Sequence, residues 1–488
     1  MTRALTIAAG DSVATLLDDA RAGDTVAGVT LAEAIPRGHK VALTPIGAGE
    51  EVVKFGFPIG RARRAIAPGE HVHSDNLATG LSGTGRYHYD PKPAAAINAH
   101  TGATFEGYVR ADGRVGTRNE IWILPTVGCV ARTAERIAKK AGAALAGQVD
   151  GVHAFTHPHG CSQLGQDLDG VRAILASLAC HPNAGGVLLV GLGCEENQVK
   201  ELLAAIPPER HRAIRYLTAQ FSTDEVEEGC ALVAELAAQA AMPRQTVGLD
   251  RLVLGVKCGG SDGLSGLTAN PLVGRISDRV AEAGGRVVFT EVPEMFGAEQ
   301  MLMDRAADVA VFDRMVGVIN GFRQYFIDHG EPISENPSPG NVAGGITTLE
   351  EKSLGAVQKA GRTPVTDVIG YGERIHSDGL TLLEAPGNDA VSSTALAAAG
   401  ATAILFTTGR GTPLGFPVPT VKIASNSDLA TRKPGWIDFD AGAVLTDGFD
   451  AAETALIDRI CAIASGAPTA AENNDERAIA IWKRGVTL

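Results

Sequence analysis

One local pattern occurs four times in this sequence. An apolar, strand-like run ends in a glycine-containing loop that carries a cysteine, and a helical pattern follows; the cysteines are Cys129, Cys161, Cys194 and Cys258. A strand, a loop and a helix in that order predict βαβ units with parallel strands. Because ligands of such sheets bind beyond the carboxyl ends of the strands, the pattern predicts an α/β fold whose site lies among these loops.

Length and charge narrow the class of protein. The chain has 488 residues and a formal net charge of −13, which suits about three domains and argues against nucleic acid as a partner. No apolar run is long enough to span a membrane, and no secretory signal is visible at the N-terminus. Seven cysteines are an odd number, so we expect reduced thiols and a cytoplasmic location. We also expect a homo-oligomer.

Turn signals and composition divide the chain into four parts. Residues 1–81 read as a small β-rich module, and residues 82–104 read as a linker that is rich in Gly, Pro and Ala. Residues 105–246 and 247–488 then read as two α/β subdomains.

The β-rich module ends in a candidate metal site. His71 and His73 are two residues apart on an extended segment, so their side chains point to the same side and could bind one metal ion. The alternative is a pair of surface histidines on an edge strand.

Two arginine-containing turns are candidate anion sites. Arg110, Arg114 and Arg118 are spaced by four residues around a glycine-rich turn. They could clamp a carboxylate in a planar, bidentate way, or form a solvated turn with unconnected charges. Arg410 lies in a second glycine-containing loop of anion-binding character.

The loop after the strand at residues 252–256 is the predicted wall of an active site. It contains Lys257, Gly259, Gly260, Ser261 and Asp262 ahead of a helical pattern. Its backbone N–H groups and lysine are suited to binding a carboxylate or hydroxyl groups.

Eight segments together resemble the altronate dehydratase family, which also includes galactarate dehydratase and a sulfolactate sulfo-lyase. They are GEHVHSDNL (69–77), GYVRADGRVGTRN (107–119), HPHGCSQLGQD (157–167), HPNAGGVLLVGLGCEENQ (181–198), KCGGSDGLSGLTANPLVGR (257–275), EVPEMFGAEQ (291–300), ENPSPGNVAGGITTLEEKSLG (335–355) and TGRGTPLG (408–415). The resemblance implies an SAF-type N-terminal domain and a large α/β catalytic region with mostly parallel sheets. It also implies a hydro-lyase that converts a sugar acid to a 2-keto-3-deoxy acid with Fe(II) or Mn(II).

Dehydration removes a proton next to a carboxylate and expels a hydroxyl group, so it needs a metal, a base, an acid and a carboxylate clamp. The candidate metal ligands are His71 and His73. The candidate base is His157 or Lys257, while Asp262 and Glu195 are candidate acids, bases or further ligands. The candidate substrate-binding residues are Arg110, Arg114, Arg118, Gly259, Gly260, Ser261 and Arg410.

Alternatives remain for both the cofactor and the reaction. The four loop cysteines, Cys129, Cys161, Cys194 and Cys258, could instead hold an iron–sulfur cluster, since thiolates favour such centres. The expected reaction is dehydration of D-altronate to 2-dehydro-3-deoxy-D-gluconate in hexuronate catabolism. Dehydration of another sugar acid such as galactarate, C–S cleavage of sulfolactate, and sugar-acid binding without catalysis are the competing functions.

Overall fold

Three successive parts of the chain form separate sheets in the computed structural model, which describes residues 2–92 and 102–485. Small antiparallel sheets come first and parallel α/β sheets follow, so the predicted fold class is confirmed. The predicted linker, residues 82–104, lies partly outside the described residues. None of the helices in the described ranges has the length and apolarity that crossing a membrane requires.

The N-terminal domain consists of short antiparallel strands joined by glycine turns. The strands are β1 (Ala4–Leu5), β2 (Val13–Leu16), β3 (Thr25–Val26), β4 (Val29–Thr30), β5 (Lys40–Ala42), β6 (Glu51–Lys54), β7 (Phe57–Ala62), β8 (His71–Val72) and β9 (Leu77–Ala78). They form one sheet in the order β1-β2-β5-β8, a second in the order β6-β7-β9 and the hairpin β3-β4. The pairing of β5 with β8 matters most, because it places Val41 opposite His71.

The second domain is a four-stranded parallel sheet flanked by helices. Its elements are β10 (Thr104–Val109), β11 (Val115–Gly116), β12 (Glu120–Pro125), α1 (Ala131–Ala144), β13 (Gly151–Ala154), α2 (Gly165–Ala179), β14 (Ala184–Gly191), α3 (Val199–Ala204), β15 (Ile214–Thr218), α4 (Glu225–Ala240) and β16 (Gln245–Gly248). The parallel order is β13-β12-β14-β15, and β10 pairs with β11 and β16 in a small antiparallel sheet. Every residue of β12 is buried, as expected for a central strand covered on both faces.

The C-terminal domain contains a seven-stranded parallel sheet. Its elements are β17 (Val253–Cys258), α5 (Ala269–Glu282), β18 (Arg286–Phe289), α6 (Glu299–Met303), α7 (Val309–Asp328), α8 (Pro339–Ala343), α9 (Leu349–Ala356), β19 (Val365–Ile369), β20 (Gly379–Leu383), α10 (Asp389–Ala399), β21 (Ala403–Thr408), β22 (Thr420–Ala424), α11 (Ser427–Arg432), β23 (Phe439–Asp440), α12 (Val444–Asp447), α13 (Phe449–Ala464) and α14 (Ala470–Asn473). The strand order is β19-β20-β18-β17-β21-β22-β23. Strands β18, β19 and β20 therefore lie on one side of β17, and the later strands β21, β22 and β23 lie on the other. This reversal makes the carboxyl ends of β17 and β21 a topological switch point.

Glycines allow the N-terminal domain to approach the C-terminal domain closely. A Cβ atom on Gly263 would lie 1.9 Å from the carbonyl oxygen of Gly38, and one on Gly345 would lie 2.3 Å from the same oxygen. No side chain fits at such distances, so the backbones of the two domains touch here. This contact places His39, the next residue, against α8 of the C-terminal domain.

A buried ion cluster joins the same two domains. Lys40 and Lys54 of the N-terminal domain lie 2.8 and 2.9 Å from the two carboxylate oxygens of Glu351 on α9. All three side chains are almost fully buried. Removing one partner of such a cluster leaves a buried charge without compensation, which costs about 3–5 kcal/mol.

Acidification should weaken the docking of the N-terminal domain. Burial alone would raise the pKa of Glu351, but the charges and hydrogen bonds of Lys40 and Lys54 outweigh it and hold this pKa well below 4.5. Stability from such a carboxylate is fully present above its unfolded pKa and is lost as the pH falls toward the folded pKa. We therefore expect calorimetry to show a loss of about 3 kcal/mol or more between about pH 5 and about pH 2. The Glu351→Gln variant should be less stable at neutral pH and show a shallower pH dependence; equal slopes would contradict the assignment.

Candidate functional site

Three histidines of the N-terminal domain form one group. The ring centroids of His39, His71 and His73 lie 5.0–5.2 Å apart, and Nδ1 of His39 is 3.0 Å from Nε2 of His71. One ligand nitrogen from each ring lies within 4.8 Å of the others. The sequence pattern indicated His71 and His73 but missed His39, which the β5–β8 register places across from His73.

Backbone carbonyls of the C-terminal domain orient two of these rings. Nε2 of His73 lies 3.1 Å from the carbonyl oxygen of Val342, and Nε2 of His39 lies 3.4 Å from that of Ala343. Because a carbonyl only accepts, each Nε2 must carry the proton, and the lone pair of that ring is on Nδ1. Nδ1 of His39 faces Nε2 of His71 at 3.0 Å, and Nδ1 of His73 lies 3.1 Å from Oγ of Ser74. Outer partners of this kind fix the tautomer of metal-binding histidines.

The electrostatic surroundings keep His39 and His71 neutral. Burial, followed by the neighbouring His39 and His73, lowers the pKa of His71 to about 4. Burial and His73 also lower the pKa of His39. At neutral pH these two rings therefore offer lone pairs rather than charges, and this is the state in which histidine binds metals.

An open cavity of about 1280 Å³ adjoins the histidines at the switch point of the large sheet. His73, Gly259 and Gly260 line one side, and Glu294 and Lys352 line another. Apolar rings form a further wall, where Trp482 stacks on Phe322 with 5.1 Å between the ring centroids. A cavity of this size accommodates a six-carbon sugar acid.

A buried network of carboxylates and lysines forms the floor of the cavity. Glu294 accepts from Nζ of Lys352 at 2.8 Å and lies 3.4 Å from Sγ of Cys258. Glu291 lies 2.7 Å from Nζ of Lys257 and 3.1 Å from Nζ of Lys359. Cys258, Glu291 and Glu294 are close enough to share an ion, but the three lysines already compensate the two carboxylates. This network therefore fits a proton-carrying or anion-binding role better than a second metal site.

Two features of this floor indicate function. Glu291 has φ of 73°, a left-handed conformation that is uncommon for a residue with a Cβ atom and that clusters at active sites. Lys257 also lies 2.9 Å from Asp389. Burial would lower the pKa of Lys257, but Glu291 and Asp389 outweigh it and raise this pKa, so the lysine is a cation in this arrangement and not a ready base.

The other residues of the predicted loop hold the cavity in shape. Gly259 and Gly260 line the cavity, while the carbonyl of Ser261 accepts from Asn341 at 2.8 Å. Asp262 accepts from Ser265 and Ser425, at 2.8 Å each. Asp262 thus joins the loop to the end of β22, and its carboxylate is engaged in structural hydrogen bonds.

The structure does not bring the three spaced arginines together at the cavity. Arg110 donates to the carbonyl of Pro182 at 2.8 Å, and Arg114 pairs with Asp112 at 2.7 Å. Arg118 is buried and forms a bidentate pair with Glu472, with both distances 2.9 Å. These guanidinium groups therefore connect parts of the fold, and the strand–turn–strand course of the segment does not gather them into one clamp.

Arg410 is placed differently. It is exposed, and the Cδ and Nε atoms of its side chain lie 3.7 Å from the Cβ position of Gly340 beside the cavity. Its backbone N–H donates to the carbonyl of Gly260 at 3.0 Å. Among the described residues its guanidinium has no hydrogen bond or ion pair, so it is available to an anion.

His157 and Glu195 lie in the second domain, away from the cavity lining. His157 is buried; Nε2 lies 2.9 Å from the carbonyl of Pro125, and Nδ1 accepts from the N–H of His159. Burial lowers the pKa of His157 to about 4. For Glu195, burial opposes the charge, but hydrogen bonds from Thr126 and backbone N–H groups outweigh it and lower the pKa. Both side chains thus hold loops in position.

The predicted cysteines also separate into two places. Cys258 is buried in the floor network, and burial and Glu291 raise its pKa to about 12. Cys129, Cys161 and Cys194 are exposed and lie on loops of the second domain. Cys258 thus lies in a different domain and a different environment from the other three cysteines.

Comparison with known proteins agrees with this architecture. Three family models match in succession: an altronate/galactarate dehydratase SAF domain over residues 2–80, a D-galactarate dehydratase/altronate hydrolase second domain over residues 107–241, and a D-galactarate/altronate dehydratase C-terminal domain over residues 249–487.

Full-length relatives give the same result. The chain is 50% identical over 493 residues to the altronate dehydratase of Escherichia coli (strain K12) and 47% identical over 488 residues to that of Bacillus subtilis (strain 168), with 98% of each chain covered in both cases. It is 35% identical over 468 residues to the galactarate dehydratase (L-threo-forming) of Escherichia coli (strain K12), and the match covers 89% of this chain and 87% of the relative.

The protein is thus a hydro-lyase, an enzyme that eliminates water. Within that class, the chain belongs to the altronate/galactarate dehydratase family.

Proposed function

We propose that this chain dehydrates D-altronate to 2-dehydro-3-deoxy-D-gluconate in cytoplasmic hexuronate catabolism, with Fe(II) or Mn(II) bound by His39, His71 and His73. The observation that carries the proposal is the position of this histidine group at a cavity lined by Glu294 and Lys352. The identity to the two altronate dehydratases, 50% and 47%, exceeds the 35% to the galactarate dehydratase, and this difference favours altronate as the substrate.

The donor set fits the proposed metal. Imidazole nitrogens suit divalent iron and related transition metals, and three protein ligands leave coordination positions open. The lowered pKa values of His39 and His71 keep both lone pairs available at neutral pH. When bound there, the ion supplies Lewis acidity toward the carboxylate and hydroxyl oxygens of a sugar acid.

Glu294 is the proposed base and Lys352 the proposed carboxylate anchor. Burial would lower the pKa of Lys352, but Glu294 outweighs it and raises this pKa, so Lys352 meets the substrate as a cation. Its Nζ is shared between Glu294 at 2.8 Å and Asn336 at 2.9 Å. A substrate carboxylate competes for this ammonium group, and Glu294 then loses its partner and becomes a stronger proton acceptor.

Lys257 and Asp389 are the proposed second pair. Asp389 lines the cavity and lies 2.9 Å from Nζ of Lys257. Because Glu291 binds the same ammonium group from the buried side at 2.7 Å, the lysine is held at a fixed position. A proton held on this pair is available to the departing hydroxyl group.

Two of the candidate arginines should differ in their effect on substrate binding. Replacing Arg410 by Ala should raise the KM for altronate by about 10–100-fold, since a charge-assisted bond to a carboxylate contributes about 1.5–3 kcal/mol. The matched variant Arg114→Ala should change kcat/KM by less than about twofold, because Arg114 pairs with Asp112 outside the cavity. Steady-state kinetics of both variants decide this, and equal effects would remove Arg410 from the proposed site.

The proposed activity itself is tested with anaerobically purified protein supplied with Fe(II) or Mn(II). Incubation with D-altronate should form a 2-keto acid, and galactarate should give a much lower kcat/KM. A preference for galactarate would change the assigned substrate. No 2-keto product from either acid with either metal would overturn the proposal.

A further inference from the structure

Three exposed thiols lie at one edge of the second domain. Cys161, Cys129 and Cys194 follow β13, β12 and β14, which are adjacent in the parallel sheet. Carboxyl ends of neighbouring parallel strands meet at one edge, so the three loops surround a common point. All three cysteines are free and exposed, whereas structural free cysteines are among the most buried residues.

Hydrogen bonds connect the three loops to one another in a closed ring. The N–H of Gly128 donates to the carbonyl of His159 at 2.8 Å, the N–H of Asn197 donates to the carbonyl of Gly160 at 3.2 Å, and Oγ1 of Thr126 donates to Oε1 of Glu195 at 2.7 Å. Every loop is thus bonded to both of the others. Ser162, next to Cys161, has φ of 57°, and such strained residues cluster at functional sites.

The three thiols do not form a compact site for a single ion. In a tetrahedral site with metal–sulfur bonds of about 2.3 Å, the sulfurs lie about 4 Å apart. Among the described residues, the groups whose ligand atoms all lie within 4.8 Å of one another do not include these cysteines. A multi-iron cluster holds its thiolates farther apart because each binds a different iron atom.

We propose that Cys129, Cys161 and Cys194 bind a four-iron, four-sulfide cluster in which the fourth iron has no cysteine ligand. This cofactor site goes beyond the proposed function, which uses histidines of another domain. Cys258 is excluded from it, because its Sγ is buried beside Glu294 in the floor of the cavity.

The surroundings favour thiolates at this edge. Cys129 lies just before α1, whose 14 residues direct the positive end of the helix dipole toward it. The side-chain amide of Gln220 donates to Sγ of Cys194 at 3.5 Å, and such bonds to sulfur stabilise cluster ligands. The proposed cluster site also accounts for the positions of His157 and Glu195, because both side chains hold these loops in place.

The test measures acid-labile sulfide, which a histidine-bound ion does not contain. The full chain, purified or reconstituted with iron and sulfide without oxygen, should contain about four sulfides and absorb broadly at about 400 nm. Ser substitutions at Cys129, Cys161 or Cys194 should each lower the sulfide content at least about tenfold. Cys230→Ser is the matched control, because Cys230 is half-buried between α1 and α4 and should leave the sulfide content unchanged.

A second variant separates this proposal from the proposed function. His71→Ala should retain the sulfide and the 400 nm absorption (about that wavelength) while losing dehydration. If the wild-type chain binds no sulfide after reconstitution, or if the three Ser variants retain it, the cluster is overturned. The melting temperatures of the Ser variants are measured in parallel. Unchanged values show that the loss of sulfide does not result from unfolding.

Discussion

Replacing His71 with alanine should lower kcat/KM for altronate by about 1000-fold or more. A bound metal contributes several kcal/mol of transition-state stabilisation, and each 1.4 kcal/mol or so corresponds to about tenfold in rate. Loss of one of three ligands should also weaken metal binding by at least about 100-fold, since changes in outer partners alone cost about 10–100-fold. Metal analysis after dialysis and steady-state kinetics measure the two effects.

The fold should survive this change. β8 pairs with β5 through backbone atoms at His71 and Val72, and these bonds do not need the imidazole. His376→Ala is a suitable control, because His376 is an exposed histidine of the C-terminal domain and should leave metal content and rate unchanged. Full activity of His71→Ala with normal metal content would contradict the proposed histidine site.

The Glu294→Gln variant should lower kcat by about 100–10,000-fold, the usual contribution of a positioned general base. Glutamine keeps the shape of the side chain and can still accept from Lys352, now 2.8 Å away, so metal content should stay normal. Normal metal content together with lost turnover would show that Glu294 acts as a base and not as a metal ligand. Exchange of the α-proton of altronate with solvent deuterium, followed by NMR, should stop as well.

Glu299→Gln provides the comparison. Glu299 is also buried and binds a cation, Arg323, but its pair supports the packing between α6 and α7. We expect this variant to lose thermal stability while kcat per folded molecule stays within about threefold. Glu294→Gln with wild-type kcat would show that another group removes the proton.

The sequence predicted those parts of the fold and site that depend on local pattern. The strand–loop–helix order around Cys129, Cys161, Cys194 and Cys258 gave the parallel sheets, and the two-residue spacing placed His71 and His73 on one side of a strand. What local pattern could not give was pairing between distant segments. His39 joins the group only because β5 pairs with β8, and a search for a histidine next to a strand that could pair with residues 71–73 would have found it.

The proposed base and its partner were missed for the same reason. Glu294 and Lys352 are 58 residues apart, and only the packing of α9 on the loop after β18 joins them. The three spaced arginines show the opposite error, in which a local pattern predicted a site that the structure does not form. Their spacing suits a carboxylate clamp, but the segment is a turn between two strands. Arg118 binds Glu472 from the far end of the chain, and no local feature of residues 107–119 indicates that partner.

The proposed metal site depends on both domains, and this has a thermodynamic consequence. The imidazoles belong to the N-terminal domain, but the carbonyls of Val342 and Ala343 that fix their proton positions belong to the C-terminal domain. A metal bound at the proposed site would therefore stabilise the docked arrangement of the two domains, by about 1.4 kcal/mol for each tenfold rise in free metal above its Kd when the undocked arrangement does not bind it. Metal supply would then set how firmly the N-terminal domain is docked on the C-terminal domain.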